Sequence, residues 1–140
     1  MRIFLDANIL FSAAKSDSAV RRLLEELLVA GHQCVADGYV IGEARRNLER
    51  KYPSAIASLN DILADVDCSA KASEPGFPEH VQALPEKDRP VMAAAIHHRC
   101  QALITGDKLH FGALYGQTIG GVTIHSPRTI AEALLGKSGS

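Results

Sequence analysis

Short, almost entirely apolar segments alternate with longer helical segments along this chain, and this alternation constrains the fold more than any other feature. The segments Ile3-Phe4-Leu5 and Ala102–Thr105 show little apolar/polar alternation, as is typical of strands that are buried on both faces. Amphipathic or capped segments of helical length separate the apolar segments. The pattern predicts an α/β fold in which a central parallel sheet is covered by helices on both faces, a three-layer sandwich.

The predicted elements follow one another without an internal repeat. Strands are predicted at Arg2–Leu5, Gln33–Ala36, Val66–Ser69, Ala102–Thr105 and Val122–Ile124. Helices are predicted at Ala19–Ala30, Gly38–Lys51, Ser54–Ala64, Pro90–Arg99 and Pro127–Leu135, with candidate caps at Ser16–Ser18, Asp37 and Asp88. Residues 71–87 are rich in proline and are predicted to form a surface loop.

The length and the overall charge limit the class of protein. A chain of 140 residues is expected to fold as one domain, which we assign to residues 1–136, with 137–140 as a frayed tail or a cloning remnant. The formal net charge is −1, so the chain is not basic overall and any nucleic-acid surface must be local.

Apolar segments and cysteines exclude further classes. No apolar run is long enough to cross a bilayer, and Asp6 interrupts the apolar stretch at the N-terminus, so we expect a cytoplasmic protein without a membrane partner. The three cysteines, Cys34, Cys68 and Cys100, are widely spaced, which argues against a disulfide framework and against a cysteine zinc site.

Acidic residues stand at positions where a parallel sheet would expose them. Asp6 and Asp107 directly follow predicted strands, and Asp88 begins the helix that leads into the strand before Asp107. The carboxyl ends of parallel strands lie at one edge of the sheet, where ligands bind. Glu43 lies at the border of the apolar face of its helix.

Each of these acids also has an ordinary structural interpretation. Asp6 and Asn8 could form an Asx-turn, Asp88 could cap a helix, and Asp107 lies in a typical turn sequence. Four carboxylates gathered in one pocket, however, could not all stay ionised without a counter-charge. Divalent ions such as Mg²⁺ or Mn²⁺ prefer carboxylate ligands and support phosphodiester cleavage.

Four motifs in this order resemble the PIN domain, a family of small metal-dependent ribonucleases that includes toxins of VapBC-type toxin–antitoxin pairs. The motifs are FLDANIL around Asp6, VIGEARRNL around Glu43, EKDRPVMAAAI around Asp88 and LITGDKLHF around Asp107. The resemblance extends over nearly the whole chain and implies the PIN-like α/β fold.

The resemblance implies a catalytic metal site made of Asp6, Glu43, Asp88 and Asp107, with Asn8 and Thr105 as supporting residues. It further implies an RNA substrate, a small antitoxin partner and a homodimer. Lys108, Leu109 and His110 occupy positions where many members have a further aspartate, so the number of metal ions stays open. Arg45 and Arg46 lie beside Glu43 and are predicted to steer the RNA backbone, unless they form a solvated helix face.

Other functions remain compatible with these residues. A metal-dependent phosphatase would use two aspartates two positions apart, but Asn8 occupies the second position. A receiver domain would give Glu43 no role. A non-catalytic PIN-like module that binds RNA or protein is a third alternative, and it ranks below catalysis because all four acids are present.

Overall fold

A computed structural model of the chain describes residues 1–70 and 89–136. Within these residues the strands are β1 (Arg2–Leu5), β2 (Gln33–Asp37), β3 (Asp67–Ala70), β4 (Ala102–Ile104), β5 (Thr118–Ile119) and β6 (Val122–His125). The helices are α1 (Ala7–Lys15), α2 (Ala19–Val29), α3 (Gly38–Lys51), α4 (Ile56–Leu63), α5 (Arg89–His97), α6 (Lys108–Phe111) and α7 (Pro127–Leu135). The prediction of an α/β fold with a central sheet flanked by helices is confirmed.

The strands that the structure describes form one sheet in the order β3-β2-β1-β4-β6-β5. All neighbours are parallel except β5, which pairs with β6 in antiparallel orientation at the edge. Strand β1 lies between β2 and β4, with Phe4 opposite Val35 on one side and Leu103 on the other. The chain builds the sheet outward in one direction through β2 and β3 and then returns to the other side of β1 through β4. The strand order therefore reverses between β1 and β4, which is where α/β sheets bind ligands.

The central strands form the core of the sheet. Ile3, Phe4 and Leu5 of β1 are fully buried, as are Leu103 and Ile104 of β4. Each such side chain contributes about 1.5–3 kcal/mol by its removal from water. Burial on both faces explains why these strands lack apolar/polar alternation, as the sequence predicted.

Helix α1 was not predicted from the sequence. It begins directly after Asp6, with no loop between strand and helix, and it buries Ile9, Leu10, Ala13 and Ala14. These positions have helical spacing. Because Phe11 is apolar as well but is not one of these buried positions, the short segment showed no clear amphipathic pattern in the sequence.

Several predicted boundaries differ from the observed ones. The predicted helix 54–64 is a 3₁₀ turn, Pro53–Ala55, followed by α4, because Pro53 begins the tighter turn. The third strand is Asp67–Ala70, one residue later than predicted. The cap at Asp88, the loop 71–87 and the tail 137–140 lie outside the described residues.

The described helix ends agree with the predicted caps. The Ser18 side chain accepts a hydrogen bond from the backbone of Arg21, and the Asp37 side chain accepts one from Val40. Helix α7 ends at Gly136, which has a φ of 65°. Among residues 1–70 and 89–136, no helix is long enough and apolar enough to cross a membrane.

Candidate functional site

A cleft of about 370 Å³ opens at the carboxyl edge of the sheet, beside the point where the strand order reverses. Among the described residues, Asp6, Asn8, Glu43 and Asp107 line it together with Gly106, Tyr39, Asn47, Lys51, Ala7, Phe11, Val91 and Phe111. Carboxylates and amides therefore lie on the same cleft as apolar side chains, an arrangement typical of ligand-binding sites.

Asp6 links the central strand to the first helix. Its backbone N–H donates to the carbonyl of Ile104 on β4, and its own carbonyl accepts from Ile9 and Leu10 of α1. Its carboxylate Oδ1 accepts the N–H of Ala7 at 2.7 Å, so the side chain also caps α1. These bonds hold Asp6 at the cleft with only 6% of its surface exposed.

Thr105 and Asn8 connect Asp6 to the end of β4. The fully buried Thr105 hydroxyl donates to Asp6 Oδ2 at 2.8 Å and accepts the N–H of Asp107 at 3.2 Å. The Asn8 amide nitrogen lies 3.4 Å from both Asp6 Oδ2 and the Thr105 hydroxyl, and its carbonyl accepts the N–H of Gly106 at 2.8 Å. This network fixes the relative positions of the two strand ends.

Asp107 lies half-buried at the start of α6. Its carbonyl accepts the N–H of Phe111, and the loop behind it is held by Tyr115, whose hydroxyl donates to the carbonyl of Thr105 at 2.9 Å. Burial raises the pKa of Tyr115, and the negative charges of Asp107 and Asp6 raise it further. Tyr115 is therefore protonated at neutral pH and acts as a donor.

Glu43 reaches the cleft from α3. The cap at Asp37, the last residue of β2, fixes where α3 begins, and Glu43 follows half-buried in its second turn. Asp37 itself is fully buried, and its Oδ2 has no hydrogen-bond partner among the residues that the structure describes. Burial raises the pKa of Asp37.

The acids of the cleft interact electrostatically. The pKa of Asp6 is raised to about 6: burial is the largest cause, the charges of Glu43 and Asp107 add to it, and the hydrogen bonds from Thr105 and Ala7 oppose it. Burial raises the pKa of Tyr39, and the charges of Glu43 and Asp6 raise it by a smaller amount. Three carboxylates thus line one cleft, where a cation would relieve their repulsion.

The donor chemistry of this site fits a hard divalent cation. Asp6, Glu43 and Asp107 supply only carboxylate oxygen, the ligand type that Mg²⁺ and Mn²⁺ prefer. In the described ranges, however, no three or more His, Cys, Asp or Glu side chains are close enough together to hold a metal ion. Asp88, the fourth predicted acid, lies outside these ranges.

The two predicted RNA-steering arginines are not among the described residues that line the cleft. Arg45 donates to the side chain of Asn60 on α4 at 3.2 Å. Arg46 is exposed and lies near Tyr39, whose pKa its charge lowers. Within the described part of the chain, neither arginine lines the cleft.

Several lining residues were not predicted from the sequence. Asn47 and Lys51 lie one and two helical turns beyond Glu43 on the same face of α3, and Phe11 lies on the cleft face of α1. The spacing of four residues between Glu43, Asn47 and Lys51 is the signal that could have identified them. Tyr39 had no distinguishing sequence pattern.

Known proteins similar to this chain were identified by sequence and by structure. The model of the PIN domain family matches residues 2–109. No curated protein matches the chain by sequence.

Three solved structures share the fold. The structure of VapBC2 from Rickettsia felis bound to a DNA fragment from their promoter matches with a TM-score of 0.63 and 15% identity, over 90% of this chain and 98% of that one. VapBC-1 from nontypeable Haemophilus influenzae matches with a TM-score of 0.57 and 14% identity, over 91% and 98%. FitAB bound to an IR36 DNA fragment matches with a TM-score of 0.57 and 16% identity, over 89% and 94%.

Proposed function

This chain belongs to the PIN domain family, and on this premise we propose that it is a metal-dependent ribonuclease that hydrolyses RNA phosphodiester bonds as the toxin of a toxin–antitoxin pair. The domain proposed for this activity comprises residues 1–136, and the proposed location is the cytoplasm. The observation that supports catalysis most directly is the convergence of Asp6, Glu43 and Asp107 on one cleft at the carboxyl edge of the sheet.

We assign the metal-binding role to Asp6, Asp88 and Asp107, with Glu43 binding the metal directly or through water. When bound, Mg²⁺ or Mn²⁺ would supply activation of a water molecule and stabilisation of the charge on the phosphate. Without a bound cation, these carboxylates would repel a phosphate placed between them.

The remaining polar residues hold these acids in position. Thr105 fixes the orientation of the Asp6 carboxylate, and Asn8 ties it to the turn before Asp107. The Asp6 carboxylate keeps acceptor capacity beyond its bonds to Ala7 and Thr105, because each oxygen has two lone pairs. The apolar walls formed by Val91 and Phe111 reduce access of bulk water and strengthen electrostatic interactions inside the cleft.

Wild-type protein is expected to cleave single-stranded RNA in the presence of Mg²⁺ or Mn²⁺ and to lose this activity when EDTA removes the metal. The same ions are expected to raise the melting temperature, because a ligand that binds only the folded state stabilises it by about 2.7 kcal/mol at a concentration of 100 Kd. Gel analysis of a labelled RNA and thermal denaturation measure the two effects. Metal-independent cleavage, or release of phosphate from a monoester without RNA cleavage, would contradict the proposal.

The proposed partners are a small antitoxin and a second copy of the chain. The matching VapBC and FitAB structures support the first, since both names denote two-component complexes. We expect the product of a short reading frame beside the gene to co-purify with the chain and to suppress RNA cleavage at equimolar ratio. Co-expression followed by size-exclusion chromatography and the cleavage assay tests this, and full activity of a co-purified complex would contradict it.

A further inference from the structure

Four side chains from the second half of α1 and from the C-terminal end and cap of α3 form a cation–aromatic cluster: Phe11, Lys15, Lys51 and Tyr52. The ring centroids of Phe11 and Tyr52 are 5.8 Å apart and tilted by 59°. The Lys15 ammonium lies 5.8 Å from the Phe11 centroid and 5.9 Å from that of Tyr52, and the Lys51 ammonium lies 5.9 Å from Phe11. Both ammonium groups thus lie near the Phe11 ring, and that of Lys15 lies near the Tyr52 ring as well.

The two lysines have no carboxylate to balance them in the part of the chain that the structure describes, since no ion pair there includes either ammonium. Both side chains are exposed, and 45% of Tyr52 is exposed as well. The cluster therefore presents positive charge beside an aromatic face that is open to solvent. This combination binds single-stranded nucleic acid in other proteins, because lysine attracts phosphate and bases stack on aromatic rings.

The cluster continues the cleft that contains the acids. Along α3, Glu43, Asn47 and Lys51 line the cleft at successive turns, so the acid and the ammonium lie on one face about 12 Å apart along the helix axis. Along α1, Asn8 and Phe11 line the same cleft, and Lys15 follows one turn after Phe11. The two helices together produce a surface that is acidic at the sheet edge and basic at the opposite end.

We propose that the cation–aromatic cluster is the substrate subsite next to the catalytic acids: Lys15 and Lys51 bind the phosphates of single-stranded RNA, and Tyr52 stacks on a base. The proposal rests on the ribonuclease function proposed above and specifies where its substrate binds. It also separates two roles, since the acids act on the scissile phosphate while the cluster holds a neighbouring nucleotide. The overall charge of −1 is compatible with this, because the positive charge is local.

Binding is measured with the full chain in EDTA, by fluorescence anisotropy of a labelled oligouridylate about ten nucleotides long, so that cleavage does not interfere. Tyr52→Ala and Tyr52→Leu are expected to weaken binding by about 5- to 150-fold, whereas Tyr52→Phe keeps the ring and retains affinity. Lys15→Gln and Lys51→Gln are each expected to lower the slope of log K against log salt by about 0.7. Thermal denaturation of every variant checks that the fold is intact.

Arg99→Gln is the matched control for the lysine variants. Arg99 precedes β4 and so lies at the amino edge of the sheet, opposite the cleft, and its substitution removes the same charge. If the lysine variants behave like Arg99→Gln and Tyr52→Ala binds normally, the subsite is wrong. Binding of a polyglutamate peptide that depends on the lysines, without an effect of Tyr52→Ala on RNA, would also overturn it in favour of an acidic protein partner.

Cleavage by the wild type distinguishes this inference from the proposed function. Metal-dependent cleavage together with unaffected variants overturns the subsite alone. Binding that depends on Tyr52 and the lysines, without cleavage under any metal, supports the subsite and overturns the ribonuclease. Absence of both binding and cleavage overturns both proposals.

Discussion

Asp6→Asn is expected to reduce metal-dependent RNA cleavage by at least roughly 100-fold, because a bound divalent ion contributes several kcal/mol to charge stabilisation and each 1.36 kcal/mol is a factor of ten in rate. The substitution removes the negative charge but keeps the size of the side chain. Asp6 follows the central strand β1 and lines the cleft. Its charge interacts with those of Glu43 and Asp107. The rate of RNA cleavage at saturating Mn²⁺ measures the effect.

The fold is expected to survive this substitution. The backbone bonds of Asp6 to Ile104, Ile9 and Leu10 do not involve the carboxylate, and asparagine is as good a helix cap as aspartate. The pKa of Asp6 in the folded protein, about 6, lies above the reference value of 3.8, so the ionised form of Asp6 destabilises the fold. The free energy of unfolding therefore falls as the pH rises from 3.8 to about 6, and it stays lower at higher pH. In EDTA at pH 7 the variant is therefore expected to melt close to the wild-type temperature, because relief of the buried charge offsets the loss of one acceptor oxygen for Ala7 and Thr105.

Asp65→Asn is the matched control for Asp6→Asn. Asp65 is exposed and precedes β3, so it lies at the amino edge of the sheet, opposite the cleft. We expect it to retain full activity and the full rise in melting temperature with Mn²⁺. An Asp6→Asn protein that keeps this rise, or that fails to fold, would return Asp6 to a purely structural role as a cap.

Thr105→Val is expected to weaken the binding of Mn²⁺ roughly 10- to 100-fold, the usual effect of losing a group that orients a metal ligand. The Thr105 hydroxyl is fully buried, and it both donates to Asp6 and accepts from the Asp107 N–H. Valine has the same shape but leaves both partners without this bond. Removal of one partner from a buried hydrogen bond costs about 1–3 kcal/mol, so a decrease in unfolding free energy of that size is expected as well.

Thr105 is a positioning residue, and its test must separate position from stability. We expect Thr105→Val to raise the Mn²⁺ concentration needed for half-maximal cleavage and to lower kcat, with the KM for RNA unchanged. Thr105→Ser restores the hydroxyl and is expected to restore both values. Thr118→Val is the control, since its hydroxyl also bonds to a side chain, Thr123, but lies exposed at the sheet edge. Equal Mn²⁺ dependence of Thr105→Val and wild type would show that the hydroxyl only stabilises the fold.

Local sequence patterns predicted most of the elements because their signals are short in range. Continuous apolar segments are required for strands that are buried on both faces, and Asp37 and Ser18 cap the helices that follow them. Helix α1 escaped prediction because it is short and because Phe11, which is apolar, lies on the cleft face with Asn8 and so blurs the boundary of the apolar face. A residue that serves a site breaks the pattern that reveals a helix.

The sequence by itself determined the fold class, because periodicity and capping act within a few residues, and it singled out Asp6, Glu43 and Asp107 as site candidates. Only the tertiary structure decided which side chains share the cleft. The strand order determines which strand ends lie side by side. The pairing of β1 with β4 brings Asp6 next to Thr105, which is 99 residues away in the sequence. The cation–aromatic cluster depends in the same way on the packing of α1 against α3, since Lys15 and Lys51 are distant in sequence and meet only when both helices pack.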